Sequence, residues 1–139
     1  MTHNQPPTEF LTSYDPSTNE ALGNLPISSN EQITQAVALA HQAAKTWKAA
    51  PIGDRVRRIK AAYAQIKPYA QELSELLSKE MGKDIRRARG EIEGGIFTGA
   101  YHADSAQKAL ASKSLGHGTE LHYKALGVVA VISPWNYPV

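Results

Sequence analysis

Gly127-Val128-Val129-Ala130-Val131-Ile132, followed by Ser133-Pro134-Trp135-Asn136-Tyr137-Pro138-Val139, is the stretch from which the fold is read. The first six residues alternate nothing: they are apolar on both faces of an extended chain. That pattern belongs to a strand buried inside a parallel sheet and covered on both sides, not to a strand with one wet face. Such a strand needs neighbours, and parallel neighbours require crossover connections of a dozen residues or more. Everything else in the 139 residues precedes it. Left unpaired, its backbone groups are costly if buried and aggregation-prone if exposed. The expectation is an α/β protein represented by its front portion, ending just after the first central strand. A short chain that pairs this strand with a second copy is the competing account.

Working outward, Glu120–Lys124 alternates Leu121 and Tyr123 with Glu120, His122 and Lys124, the signature of a half-exposed strand, and Gly116-His117-Gly118 turns the chain before it. Upstream lies a long helical period through Ile85, Ala88, Ile92, Ile96, Gly99, Ala103, Ala106 and Leu110. It carries Gly90, Gly94, Gly95 and Gly99, each costing about 1 kcal/mol relative to alanine in a helix. Four such losses predict another backbone packed closely along this face. Lys83, Asp84, Arg86, Arg87, Arg89, Glu91 and Glu93 nearly cancel in charge and read as a solvated helix face.

Three further helices are signposted. Ser29 with Gln32, or Ser28 with Glu31, makes a capping box for a helix whose Ile33, Ala36, Val37, Ala40, Ala44 and Trp47 form one buried face, Trp47 in the core. A second follows Pro51 with Ile52, Val56, Ile59, Tyr63 and Ile66 inward, until Pro68 removes an amide donor and breaks or kinks it. A third turns Tyr69, Leu73, Leu76, Leu77 and Met81 inward and ends at Gly82, a natural C-terminal cap. Before them, Phe10–Tyr14 and Glu20–Ile27 flank the turn chemistry of Asp15-Pro16-Ser17-Thr18-Asn19 and predict a β-hairpin. Residues 1–9 read as a flexible arm, leaving 10–139 as one unit.

Composition narrows the function classes. Fifteen basic against thirteen acidic residues leave a net charge of +2, too little to suggest a nucleic acid or an acidic membrane as partner. No apolar run approaches the ~18 residues of a membrane span, and residues 1–10 have no signal-peptide pattern, so a cytoplasmic protein is expected. The absence of cysteine excludes a disulfide scaffold, a thiolate zinc site and a cysteine nucleophile within these residues. His3, His41, His102, His117 and His122 lack metal-ligand spacing, so no metal is expected.

The order of motifs resembles the N-terminal portion of the NAD(P)-dependent aldehyde dehydrogenase superfamily. The resemblance is carried by Tyr14-Asp15-Pro16-Ser17-Thr18-Asn19-Glu20, the alanine-rich helix ending at Trp47, Glu80-Met81-Gly82-Lys83, Gly90-Glu91, and above all Leu126–Pro138. Ala125 stands where members of the family often have a proline. The resemblance implies an N-terminal hairpin and helices leading into the first strand of a Rossmann-like parallel sheet, in enzymes several-fold longer than this chain. It places residues 119–125 in an oligomerisation-type strand, implying a homodimer or homotetramer, and puts the catalytic domain outside these residues.

The implied chemistry is oxidation of an aldehyde, a semialdehyde among the options, to a carboxylate with NAD or NADP. A cysteine thiolate attacks the carbonyl, hydride passes to the nicotinamide, and water hydrolyses the thioester with a glutamate as base. By resemblance, the side-chain amide of Asn136 is an oxyanion donor, and Ile132, Ser133, Pro134 and Trp135 line the nicotinamide and ribose side of the cofactor cleft. The position suits the architecture, since ligands of open α/β sheets bind beyond the carboxyl ends of strands. Without nucleophile or base, these residues alone are expected to be inactive. Two alternatives stay open: a non-enzymatic helical interaction module, and a CoA-acylating relative of the same fold.

Overall fold

The computed structural model describes residues 9–139; the expected arm at 1–9 therefore lies almost wholly outside the described residues. Strands β1 (Phe10–Tyr14) and β2 (Ala21–Pro26) pair antiparallel, Phe10 opposite Pro26 and Tyr14 opposite Ala21. The turn between them is built by Asp15. Its carboxylate accepts from the Ser17 hydroxyl at 2.6 Å and the Ser17 amide at 2.8 Å, and these bonds hold its pKa below the usual carboxylate range.

Helix α1 (Asn30–Ala49) starts at Ser29, and of the two capping boxes the sequence allows, the structure uses Ser29 with Gln32. The Gln32 amide donates to Ser29 Oγ at 3.2 Å while the Ser29 amide donates to Gln32 Oε1 at 2.8 Å. Its apolar face has no cover among the described residues. Trp47, expected in the core, is 39% exposed, and no residue of α1 is buried. Periodicity identifies an apolar face, but burial needs an opposing surface, and α1 finds none here.

Helix α2 (Ile52–Ile66) gives way at Lys67–Tyr69 to a single 3-10 turn holding Pro68, after which α3 (Ala70–Met81) resumes. Gly82 then ends α3 in the left-handed conformation, φ +61°, which costs a side-chain-bearing residue energy but not glycine. Asp84 caps the next helix, α4 (Ile85–Ala109), accepting from the Arg86 amide at 2.9 Å.

The core sits among α2, α3 and α4. Leu77, Ala88 and Ile92 are its centre, with Ala70, Leu73, Met81 and Ile96 packed around them; Val56 is also buried. Ser74 is fully buried among them because its hydroxyl is satisfied locally, donating to the Ala70 carbonyl at 2.5 Å. The hairpin docks on the end of α3 through Ser13 Oγ, which donates to Glu80 Oε1 at 2.8 Å.

The expectation of a backbone packed along the glycine stripe of α4 is corrected at all four positions, and only one of them has a close neighbour of any kind. A Cβ on Gly90 or Gly94 would meet open space, and one on Gly95 would touch Val139 at an ordinary 3.9 Å. Only Gly99 is forced: a Cβ there would lie 2.0 Å from Tyr63 Cζ, so the close neighbour is an aromatic ring of α2 and not a backbone.

After α4, β3 (Lys113–Gly116) and β4 (Thr119–Leu121) form a second antiparallel pair around the tight turn at His117, where φ is +50°. The strand expected across 119–125 thus covers only its first residues. Residues 122–134 carry neither helix nor strand. The apolar run 127–132 has no partner among the described residues, and a strand exists only through the ladder to a neighbour.

Candidate functional site

The five residues singled out by sequence follow one another on one exposed segment. Ile132 is 92% and Trp135 77% exposed, and Ser133, Pro134 and Asn136 are exposed with them. Pro134–Tyr137 turns, the Tyr137 amide donating to the Pro134 carbonyl at 3.3 Å. Trp135 and Asn136 are the two central residues of that turn. The result is an outward strip of apolar surface, interrupted by one hydroxyl and ending on one carboxamide. Among the described residues no hydrogen bond takes up the Asn136 side chain. A flat, partly polar ring system suits a strip of this composition, so Ile132, Ser133, Pro134 and Trp135 have the chemistry to form one wall of a nucleotide site.

What holds the segment is a pair of charged residues that sequence reading assigned to solvent. Lys83 Nζ forms an ion pair with Glu91 Oε2. The Glu91 side chain is only 4% exposed and that of Lys83 17%, so this is a largely buried pair. The same ammonium donates to the backbone carbonyl of Asn136 at 2.8 Å and sits 4.6 Å from the centre of the Tyr137 ring. An ammonium has three donors, and here carboxylate, carbonyl and π-face take them. The second oxygen of Glu91 accepts from the Val139 amide at 3.4 Å. The two ends of the segment 136–139 are therefore gripped by its main chain.

Both side chains owe their places to local structure. Lys83 follows the left-handed Gly82, and its carbonyl accepts from Ser78 Oγ at 2.7 Å, fixing the α3–α4 junction. Glu91 lies on α4 one turn from the buried Ala88 and beside Ile92, on the inward side of the helix. That spacing was the available signal: 88, 91, 92 and 95 share a helical face, and a charge on such a face needs a partner. The rest of the charged stretch behaves as expected of a solvated surface. Arg86, 89% exposed, forks its guanidinium onto Asp84 at 3.1 Å. That guanidinium, with the Arg86 amide, holds the Asp84 carboxyl below the usual range, and Asp84 in turn raises the Arg86 pKa.

No cluster of three or more histidine, aspartate or glutamate side chains placed to hold a metal occurs among the described residues. No described helix is long and apolar enough to cross a membrane.

A sequence profile described as the aldehyde dehydrogenase family matches residues 2–139. Malonate-semialdehyde dehydrogenase 1 of Geobacillus kaustophilus is 36% identical over 137 residues, covering 95% of this chain and 28% of its own length. A probable aldehyde dehydrogenase of a Pseudomonas species is 32% identical over 138 residues, covering 99% of this chain and 28% of its own. The crystal structure of the NADP-dependent glyceraldehyde-3-phosphate dehydrogenase of Bacillus halodurans, complexed with NADP, superposes with a TM-score of 0.85 at 30% identity. It covers 95% of this chain and 30% of that one. The chain thus spans less than a third of the relatives and structure it matches.

Proposed function

The chain belongs to the aldehyde dehydrogenase family, and from that premise we propose that the full-length protein oxidises an aldehyde, of the semialdehyde class, to its carboxylate with NAD or NADP. The observation that carries this reading is the family match over residues 2–139. Semialdehyde dehydrogenases among the relatives and an NADP complex among the similar structures support its substrate and cofactor.

In this reading residues 10–139 begin the cofactor domain. The 119–125 segment contributes to the contact between subunits of a homodimer or homotetramer in the cytoplasm. Ile132, Ser133, Pro134 and Trp135 line the nicotinamide and ribose side of the cleft. When bound, the nicotinamide supplies the hydride acceptor.

Asn136 is the residue of this chain assigned to catalysis. A cysteine thiolate, from beyond these cysteine-free residues, adds to the aldehyde carbonyl and leaves a tetrahedral thiohemiacetal whose oxygen is negative. The side-chain N–H of Asn136 donates to that oxygen. A donor fixed before the charge develops costs no reorganisation as it forms, and exclusion of water raises its worth. A glutamate, also from outside these residues, serves as base for hydrolysis of the thioester.

The test is steady-state oxidation of a panel including malonate semialdehyde by the full-length protein and its Asn136→Ala variant. The variant should lose about a hundred- to a thousandfold in kcat, the cost of one oxyanion donor, with nucleotide binding retained. Absence of NAD(P)-dependent oxidation in the parent enzyme, or a variant within threefold of it, overturns the proposal.

A further inference from the structure

We propose that Lys83 and Glu91 are positioning residues for the reaction: together they set the place of the Asn136 carboxamide by holding the main chain on which it is mounted. The inference rests on the assignment of Asn136 as oxyanion donor made above.

The argument begins with what the ammonium touches. Lys83 Nζ donates to the carbonyl of Asn136 itself, 53 residues away in sequence, at 2.8 Å. Its charge is balanced by Glu91, whose other oxygen takes the Val139 amide at 3.4 Å. The carbonyl of 136 and the amide of 139 are thus bonded to two side chains that are bonded to each other. Between them Tyr137 lays its ring face against the same ammonium.

The base of this clasp is rigid. Lys83 is fixed by the capped junction of α3 and α4, and Glu91 by the buried face that carries Ala88 and Ile92. The loop side has no helix or ladder of its own to hold it. Residues 122–134 have no helix or strand, and Asn136 is exposed. A catalytic amide on such a loop has a defined position only if something anchors its backbone, and the pair is the anchor the structure provides. A donor displaced by 1 Å can cost a hundredfold in rate, so the anchor has catalytic consequence without touching substrate.

A pair that merely stabilises the helices would affect every property of the enzyme alike. A positioning pair acts through one residue, and that difference is measurable in the full-length enzyme. Lys83→Met keeps the aliphatic stem and removes the ammonium; it should lower kcat ten- to a hundredfold, with the KM for nucleotide within threefold. Lys83→Arg, which restores charge and donors, should recover most of the loss. The decisive measurement is a double-mutant cycle with Asn136→Ala. Once the amide is gone its position is irrelevant, so adding Lys83→Met should lower kcat by less than threefold further. Should Lys83→Met fail to fold, Glu91→Gln, which keeps shape and one acceptor, takes its place in the same cycle.

Multiplicative losses in the double variant would overturn the proposal, as would Lys83→Met or Glu91→Gln enzymes with unchanged kcat. If Asn136→Ala alone leaves kcat intact, it is the oxyanion assignment that falls. The two failures are therefore told apart by the single variant.

Discussion

Gly99→Ala should destabilise the α2–α4 contact, and its sign should reverse when Tyr63 is also truncated. The added Cβ would lie 2.0 Å from Tyr63 Cζ, 2.3 Å from Oη and 2.5 Å from Cε1. Carbon atoms pack at about 3.5–4.0 Å, so the ring must retreat by about 1.5 Å. Overpacking of this kind costs about 1–3 kcal/mol. Tyr63 has somewhere to go: a groove of about 660 Å³ between α2 and α4, lined by Ala64, Ile96, Phe97 and Tyr101 among others, opens beside it. That argues for the lower half of the range. Against the cost stands the gain of about 1 kcal/mol from replacing a helical glycine by alanine. The expected net is a loss of up to about 1 kcal/mol with Tyr63 present. In a Tyr63→Ala background only the propensity gain survives, so the same change should stabilise by about 1 kcal/mol. Native-state hydrogen exchange of the α4 amides near residue 99 in the full-length protein reads this locally, each tenfold change in protection corresponding to about 1.4 kcal/mol. Gly99→Ala raising protection equally in both backgrounds would refute the claim that the glycine is there for the ring.

Two further outcomes follow from the α3–α4 junction. Gly82→Ala forces a side chain into φ +61° and brings its Cβ within 3.1 Å of Pro16 Cγ, so denaturant unfolding should show a loss of about 1–2 kcal/mol; a variant as stable as the parent would contradict the left-handed cap. Asp84 has its pKa lowered in the fold by Arg86. A depressed carboxylate contributes stability that is present above its unfolded pKa and lost as pH falls through the lower folded one. Exchange protection in the first turn of α4 should therefore drop on acidification below about pH 4. Asp84→Asn, which still caps, should flatten that dependence, and an unchanged pH profile in the variant would assign the loss elsewhere.

The elements of this fold were legible wherever a local rule sufficed. Phe10–Tyr14, the Ser29–Gln32 box, the break at Pro68 and the cap at Gly82 are each decided by a handful of neighbouring residues, and all stand as expected. What could not be read needed a second surface. The apolar face of α1, with Trp47 on it, is evident from spacing, but spacing does not say whether anything covers it. The glycines of α4 suggested a close neighbour; only coordinates show that Gly99 alone has one. Four-residue β3, which lacks alternation, offered no pattern until β4 paired with it. At the site, Asn136 and the strip before it were visible as motif. Lys83 and Glu91 disappeared into a charge count that treats a helix face as uniform, although the turn-spaced Ala88 marked Glu91 as inward.

The grip of Lys83 and Glu91 falls on a carbonyl and an amide, groups that every residue but proline carries in full. A loop held in this way has its path fixed independently of its cargo. The side chains of 136 and 139 can be exchanged without disturbing what holds them, whereas the two distant helix residues cannot be exchanged without moving whatever the loop bears. Substitutions that diversify this loop and substitutions that misplace it therefore fall at different positions, more than forty residues apart.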